Sequence, residues 1–446
     1  MEKTVKYIII GGVAAGMSAA SKIKRMDASA EVTVYEKGAY LSYGACGLAY
    51  YVADYNDDHT RMIARTREAF EKAGIKTFLN HEAIAVDSFA KTLTVKDVKS
   101  GATLQDRYDK LLIATGASAV KPPIPGIEKR GVYTLKTMED GLGLKEAVSA
   151  YGVHEVVVIG GGYIGVEVAE AMRARKKQVT LIEAMPSILA QFDSEIVSLA
   201  ERELKANGVD VKKGERVEEF SGTSLNAVRT DKGSYTADIA VVAAGVKPNT
   251  AFLAGTGVAL APNGAVIVDR QLRTNVADIY AAGDCAVVYN RLKNRDDYIP
   301  LGTYANKCGR LAGGNMLGRG DEFTGALGSS ALKVFGLELG RTGLTEAEAL
   351  ELACNAAAVT VNTTNHPAYY PGQTELTIKL VYDKNNYRIL GAQLAGREGA
   401  ALRTDIFATA IQGGMTTKEL GMTDLIYSPP WAGVWDAVHI ACNAAK

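Results

Sequence analysis

One unit occurs twice in this chain, and no other feature constrains its folding as much. The first copy opens with the short apolar strand Tyr7-Ile8-Ile9-Ile10 and passes through Gly11-Gly12-Val13-Ala14-Ala15-Gly16 into a small-residue helix from Met17 to Arg25. It ends in Val32-Thr33-Val34-Tyr35-Glu36. The second copy runs Val156-Val157-Val158-Ile159, Gly160-Gly161-Gly162-Tyr163-Ile164-Gly165, a helix from Val166 to Lys176, then Val179-Thr180-Leu181-Ile182-Glu183. In each turn the first glycine permits a tight bend, the second lets the backbone approach a pyrophosphate, and the third lets helix and strand pack closely. Amides at the helix start then face the phosphates. A lone glycine turn is weak evidence, because such turns are common. The full unit of strand, turn, helix, strand and acid, present twice, predicts two bound dinucleotides.

The acids refine that expectation. Glu36 ends its strand where a carboxylate accepts both adenosine ribose hydroxyls. Glu183, in the matching place, repels the extra phosphate of NADP, so NADH is expected over NADPH. No Lys or Arg lies between Ala184 and Arg202 to reverse this. A strand through Leu111-Leu112-Ile113 ends in a turn at Thr115-Gly116 that can close over the first nucleotide. Another, Asp278-Ile279-Tyr280-Ala281-Ala282-Gly283-Asp284, puts Asp284 at its carboxyl end, where it takes a ribityl hydroxyl or a water near a flavin phosphate, or else caps a helix. Val241 to Asn249, with Gly245, closes an inserted nicotinamide unit, and the stiff Lys121-Pro122-Pro123-Ile124-Pro125-Gly126 is a crossover between domains. Ala15, Ser42 and Ile164 complete the expected cofactor contacts.

Cys46 follows the first unit, in Leu41-Ser42-Tyr43-Gly44-Ala45-Cys46-Gly47-Leu48-Ala49-Tyr50. That placement points to a flavin beside one reactive thiol. Gly44 and Gly47 permit close approach of a flat ligand, and a helix start at this point is expected to lower the thiol pKa. Gly47 to Asp54 offer no second cysteine for a dithiol. Cys285, next to Asp284, reads as structural, and Cys308, Cys354 and Cys442 as inert packing. The redox partner therefore comes from outside the chain: a thiol forming a mixed disulfide, a persulfide, or oxygen giving a sulfenic acid.

Five scattered cysteines make no disulfide framework, and a catalytic thiol needs a reducing cytoplasm. Acidic and basic residues balance at 50 each, so no global field favours nucleic acid or an anionic membrane. Met1-Glu2-Lys3-Thr4 leads straight into a strand without a signal peptide, and no apolar run spans a bilayer. His59, His81, His154 and His439 lack ligand spacing, so no metal is expected. From Gly325 onward the nucleotide pattern stops. Ala331 to Phe335, Ala358 to Val361, Leu376 to Tyr382 and Arg388 to Leu394 read as strands, with a turn at Asp383-Lys384-Asn385-Asn386. Helices follow at Ala401 to Gly413 and Thr417 to Leu420. The aromatic, stiff Tyr427-Ser428-Pro429-Pro430-Trp431-Ala432-Gly433-Val434-Trp435 favours a binding edge. His366 is either a proton donor or a packing residue. Glu167 orients a nicotinamide, pairs with a lysine, or is a plain solvated acid, and Tyr163 is a lid over the nicotinamide-side flavin face.

Together these segments resemble the flavin disulfide reductase superfamily, and within it the single-cysteine branch of coenzyme A disulfide reductases, NADH oxidases, NADH peroxidases and persulfide reductases. The Ser-Tyr-Gly-Ala-Cys-Gly-Leu run and the terminal Tyr-Ser-Pro-Pro carry most of that resemblance. It implies an α/β fold with two Rossmann-like, three-layer nucleotide-binding domains and an α+β C-terminal dimerisation domain. The expected limits are 1–120 and 251–325 for an FAD domain, 121–250 for an inserted NAD domain, and 326–446 for dimerisation. NADH then reduces FAD, and FAD reduces the oxidised form of Cys46. A histidine common in oxidases and peroxidases of the family is Ala14 here, which disfavours peroxide chemistry. The resemblance also implies a homodimer in which Tyr369 and Tyr427 of one subunit cover the partner's Cys46. Ser18, Lys22 and Arg25 on the first helix, with Arg61, would grip coenzyme A phosphates. Ala45 and Ala49 stand where relatives of the coenzyme A branch often carry Asn and Pro, which points to a different disulfide or a persulfide. The expected activity is NADH-dependent reduction of coenzyme A disulfide or a related small disulfide or persulfide. The alternatives are an NADH oxidase and an electron-transfer or redox-sensing flavoprotein.

Overall fold

The computed structural model describes residues 5–352 and 354–446; Met1 to Thr4, where the expected entry into a strand begins, lie outside the described residues. The chain enters strand β1 (Lys6–Ile10), helix α1 (Ala14–Met26) and strand β2 (Glu31–Tyr35). The helix starts earlier than its apolar pattern suggests, because the last residues of the glycine turn are its first turn. Short helix α2 (Leu48–Val52) follows the thiol, and β3 (Ile75–Phe78) comes next. A three-stranded antiparallel sheet of His81–Asp87, Thr92–Asp97 and Thr103–Arg107, not anticipated from sequence, precedes β4 (Lys110–Ile113).

The second unit carries β5 (Val132–Tyr133), α3 (Met138–Ser149), β6 (Glu155–Ile159), α4 (Tyr163–Ala174), β7 (Gln178–Glu183), α5 (Ser194–Ala206), β8 (Val209–Lys213) and β9 (Ile239–Val242). Its sheet is parallel throughout, in the order β8-β7-β6-β9-β5. Val156 to Ile159 are buried, as a strand covered on both faces requires. The chain then returns to the first sheet with β10 (Ile279–Ala281), giving the parallel order β10-β4-β1-β2-β3. Ala117–Ala119 pairs antiparallel with Val246–Pro248, so the outgoing and returning crossovers lie side by side. Helix α6 (Gly302–Met316) packs on α1 so closely that a Cβ at Gly309 would stand 2.2 Å from the carbonyl oxygen of Ala15.

The last unit is an antiparallel sheet of β11 (Ser330–Val334), β12 (Leu337–Gly343), β13 (Ala356–Thr364), β14 (Glu375–Asp383) and β15 (Ile389–Gly396), ordered β11-β12-β15-β14-β13. The turn at Asp383 is as expected, its carboxylate accepting from the Asn385 amide at 2.8 Å. Helix α7 (Ala400–Gly413) and a turn of helix at Thr417–Leu420 match the sequence reading, whereas α8 (Ala437–Asn443) lies in the tail read only as stiff. The fold class is thus as anticipated: two parallel α/β units and an α+β unit.

The units are joined by ion pairs. Buried Lys379 on β14 sits 3.3 Å from Asp193, 2.9 Å from Glu195 and 2.8 Å from Glu346, and its pKa is raised by these carboxylates. Arg397 adds a contact to Glu203 on α5 at 2.9 Å. Among the described residues, no helix is long and apolar enough to cross a membrane.

Candidate active site

The two glycine turns are built alike down to single hydrogen bonds. The Gly11 amide donates to Tyr35 O at 2.8 Å, and the Gly160 amide to Ile182 O at 2.8 Å. Both glycines have left-handed backbones (φ 107° and 105°), and a Cβ there would meet Ala114 O at 2.1 Å and Ala243 O at 2.4 Å. Only glycine fits both constraints. Glu36 reaches back to accept from the amides of Gly12 and Gly38, each at 2.6 Å; Glu183 accepts from Gly161 and Met185, each at 2.7 Å. Each carboxylate therefore orders its own turn, a task its position in sequence does not reveal. Burial pushes the Glu36 pKa up, against the two amide hydrogen bonds.

The other expected cofactor residues gather around these turns. Ser42 has a left-handed backbone (φ 49°), and its amide donates to Gly12 O at 2.9 Å. Ala15 is buried against Gly283, and Gly16 and Gly165 each sit where a Cβ would stand 1.8 Å from the carbonyl oxygen of the first glycine. Tyr163 and Ile164 open α4, with the Tyr163 hydroxyl 2.8 Å from Ser330 Oγ. Thr115 Oγ1 donates to Asn249 O at 2.7 Å, which locks the crossovers beside Gly116 and Gly245. Open space lies over Gly116, Gly162 and Gly245, with nothing within 4 Å of a Cβ built there. Tight packing behind both turns, with open backbone at Gly162 in the second and at Gly116 of the strand-end turn expected to close over the first nucleotide, is what a pyrophosphate-carrying nucleotide requires, so both sites fit one.

Cys46 lies in the tight turn Ala45–Gly47, just before α2. The Gly44 amide donates to Met62 O at 2.9 Å, so the segment carrying Arg61 is bonded to the thiol loop. Among the five cysteines Cys46 alone is exposed; Cys285, Cys308 and Cys442 are buried and Cys354 is half-buried. The helix start was expected to lower the thiol pKa. The protein instead raises it, first because surrounding protein displaces water from the charged form, then because Glu167 repels a thiolate; Lys136 pulls the other way. Desolvation and a nearby carboxylate outweigh the few aligned peptides of so short a helix.

Glu167 shows neither the lysine pair nor the plain solvation considered for it. Its pKa is pushed up to about 7 by burial and by Glu170, with the Tyr50 hydroxyl favouring the charged form. Glu170 in turn accepts from the Phe335 amide at 2.7 Å. Because Glu167 binds its proton more tightly in the folded chain, its contribution to stability falls as pH rises from 4.5 to about 7, by roughly 3 kcal/mol. Denaturation of the holoprotein across that window should show a shallower fall in Glu167→Gln, and the pH midpoint for alkylation of Cys46 should move down.

Asp284 sits in a turn, not at a helix start, and Lys136 Nζ holds its carboxylate at 2.9 Å. Lys136 and Tyr50 are the site residues that sequence reasoning missed. Tyr50 stands in the same run as Cys46, while Lys136 has no motif around it.

In the C-terminal unit the two expected tyrosines meet. Tyr369 and Tyr427 lie far apart in sequence, yet their hydroxyls are 2.9 Å apart with the side chains 70% and 50% exposed. His366 is buried, with Nδ1 3.0 Å from Pro367 O, which is the packing role. Ser18 Oγ donates to Asn306 on α6 at 2.9 Å, Lys22 is half-buried, Arg25 is exposed, and Arg61 lies 3.8 Å from Asp57. Ser18, Lys22 and Arg25 share α1; no ion pair or hydrogen bond among the described residues links them to Arg61.

The pyridine nucleotide-disulphide oxidoreductase family matches residues 5–305, and its dimerisation domain matches residues 329–438. A Pyrococcus horikoshii protein named NAD(P)H coenzyme A polysulfide/persulfide reductase is 36% identical over 99% of this chain and 98% of its own. The structure of reduced Bacillus anthracis CoADR-RHD superposes with a TM-score of 0.96 at 31% identity, covering 99% of this chain and 80% of that one. The water-forming NADH oxidase from Lactobacillus brevis, bound to NADH, gives 0.95 at 34% identity over 99% and 98% of the two chains. With the paired glycine turns and the lone exposed thiol, these likenesses establish that the chain belongs to the pyridine nucleotide-disulphide oxidoreductase family, an enzyme whose family implies FAD and NAD(P)H as cofactors.

Proposed function

We propose that this enzyme uses NADH to reduce coenzyme A disulfide, or a related small disulfide or persulfide, through Cys46 as its one redox cysteine. The observation that carries this reading is the lone exposed thiol with no cysteine partner among the described residues. The name of the Pyrococcus relative and the coenzyme A reductase likeness support it. The residues at the first glycine turn, with Glu36, Ser42, Thr115, Gly283 and Asp284, would hold FAD; those at the second, with Glu183 and Gly245, would hold NADH. The domain limits stay near residues 120, 250 and 325, and the enzyme works in the cytoplasm.

The Cys46 thiolate attacks one sulfur of the disulfide; that S–S bond breaks, one thiolate leaves, and Cys46 keeps the other half as a mixed disulfide. FAD, when bound, supplies the relay of two electrons from NADH that returns Cys46 to its thiolate and, with a proton, frees the second thiol. In the homodimer, Tyr427 and Tyr369 of one subunit stand over the partner's Cys46, where a phenol proton meets the leaving sulfur. Ser18, Lys22, Arg25 and Arg61 would hold the phosphates of coenzyme A. Tyr427→Phe is expected to lower disulfide turnover about tenfold to a hundredfold, with NADH-driven flavin bleaching in stopped flow unaltered.

The oxidase alternative is supported by the likeness to the Lactobacillus enzyme and by relatives named NADH oxidase. Anaerobic turnover with coenzyme A disulfide and with persulfide, set beside aerobic NADH consumption, separates the readings. Rapid oxygen turnover with no disulfide or persulfide turnover would overturn the reductase.

A further inference from the structure

We propose that Arg403 is the positioning residue that brings the Tyr369 and Tyr427 hydroxyls together, and so sets the acceptor half-reaction; this rests on the tyrosine roles proposed above. Arg403 projects from the first turn of α7 and is buried. Its Nε donates to both carboxylate oxygens of buried Asp436, at 3.2 and 3.0 Å, and Nη2 donates to Asp436 Oδ2 at 2.8 Å. The same Nη2 reaches the carbonyl oxygens of Asn365 and Trp431, each at 2.9 Å.

Those two carbonyls belong to the two loops that carry the tyrosines. Asn365 closes the Tyr369 loop by pairing with Thr374, its amide to Thr374 O at 3.0 Å and its Oδ1 to the Thr374 amide at 2.8 Å. Trp431 ends the turn that directly follows Tyr427, its amide donating to Ser428 O at 2.8 Å. Asp436 caps α8 through the Val438 amide at 2.9 Å, so the far end of the second loop is also tied to the guanidinium. A single nitrogen, Nη2, thus reaches both stems, while the exposed tyrosines they carry share a hydrogen bond through their hydroxyls. A lysine side chain is one bond shorter, so its ammonium falls short of the place of Nη2, and it has no second nitrogen to pair with Asp436 as Nε does. Gly399 makes room: its backbone is left-handed (φ 80°), and a Cβ there would lie 2.3 Å from Arg403 Nη1.

The test uses full-length holoenzyme carrying Arg403→Lys, and Gly399→Ala as a second variant that displaces the guanidinium without removing it. The chain has two tryptophans, Trp431 and Trp435, both in the second loop, so tryptophan emission reads that loop directly. Either variant should lower anaerobic turnover with coenzyme A disulfide about tenfold, leave NADH-driven flavin bleaching unaltered, and shift tryptophan emission to the red. Placed in a Tyr369→Phe/Tyr427→Phe background, Arg403→Lys should cause no further loss, because both phenols it positions are already gone. Full turnover in both variants, or losses that multiply in that background, would overturn the proposal. If Tyr427→Phe alone retains full turnover, the tyrosine reading fails instead; a shift in emission without any loss of turnover then leaves Arg403 a structural residue and overturns its positioning role.

Discussion

Replacing Cys46 with serine is expected to abolish turnover with coenzyme A disulfide and with persulfide, a loss of at least about a thousandfold, while FAD stays bound and NADH still bleaches it. A serine hydroxyl is too weakly acidic to attack sulfur at neutral pH and forms no mixed disulfide. The turn itself should survive, because the Cys46 side chain is exposed and the bonds that shape the loop, Gly47 amide to Gly44 O and Gly44 amide to Met62 O, are backbone bonds. Steady-state turnover under nitrogen and stopped-flow bleaching separate the two halves of the reaction. A variant that reduces disulfide as fast as the parent would sink the assignment of Cys46. A second expectation follows from exposure: the serine variant should lose the most accessible thiol, since Cys285, Cys308 and Cys442 are buried and Cys354 is half-buried.

The first glycines of the two turns should fail differently. Gly160→Val is expected to purify yellow and be bleached by dithionite, but to weaken NADH binding about a hundredfold. Gly11→Val should purify without flavin. At either position valine combines a left-handed backbone with a Cβ under 2.5 Å from a carbonyl oxygen, so the turn must open. A displaced turn no longer presents its amides to phosphate. Absorbance of the bound flavin after purification and equilibrium titration with NADH measure the two outcomes. Flavin loss from the Gly160 variant with normal NADH binding would reverse the assignment of the two nucleotides.

The parts legible in sequence were those that repeat locally. Both glycine turns, their helices and their terminal acids follow from short-range sterics, and the hairpin turn at Asp383 from side-chain bonds to nearby amides. The isolated position of Cys46 was visible too, because a dithiol would have shown a second cysteine nearby. The helix start does not lower the thiol pKa as expected, because the surroundings of Cys46 raise it. That expectation used the local backbone alone, whereas the thiol pKa is raised first by the protein that displaces water around it and then by Glu167, on a helix of the other nucleotide unit. Lys136, Tyr50 and Arg403 were missed or unweighted for the same reason: their partners are remote in sequence, and single charged or phenolic residues carry no pattern.

Short-range geometry in the chain determined that two nucleotide-binding turns exist, how each bends, and that a lone cysteine follows the first. Backbone sterics and strand periodicity act over a few residues, so they can be read in order along a sequence. Which charge sits beside the thiol, how Asp284 is paired, and whether two tyrosines from separate loops share a hydrogen bond were settled only by tertiary structure. Such contacts depend on distances between elements that the crossovers and the buried Lys379 and Arg403 pairs hold in place, and electrostatic effects depend on those distances and on how much water is displaced between them.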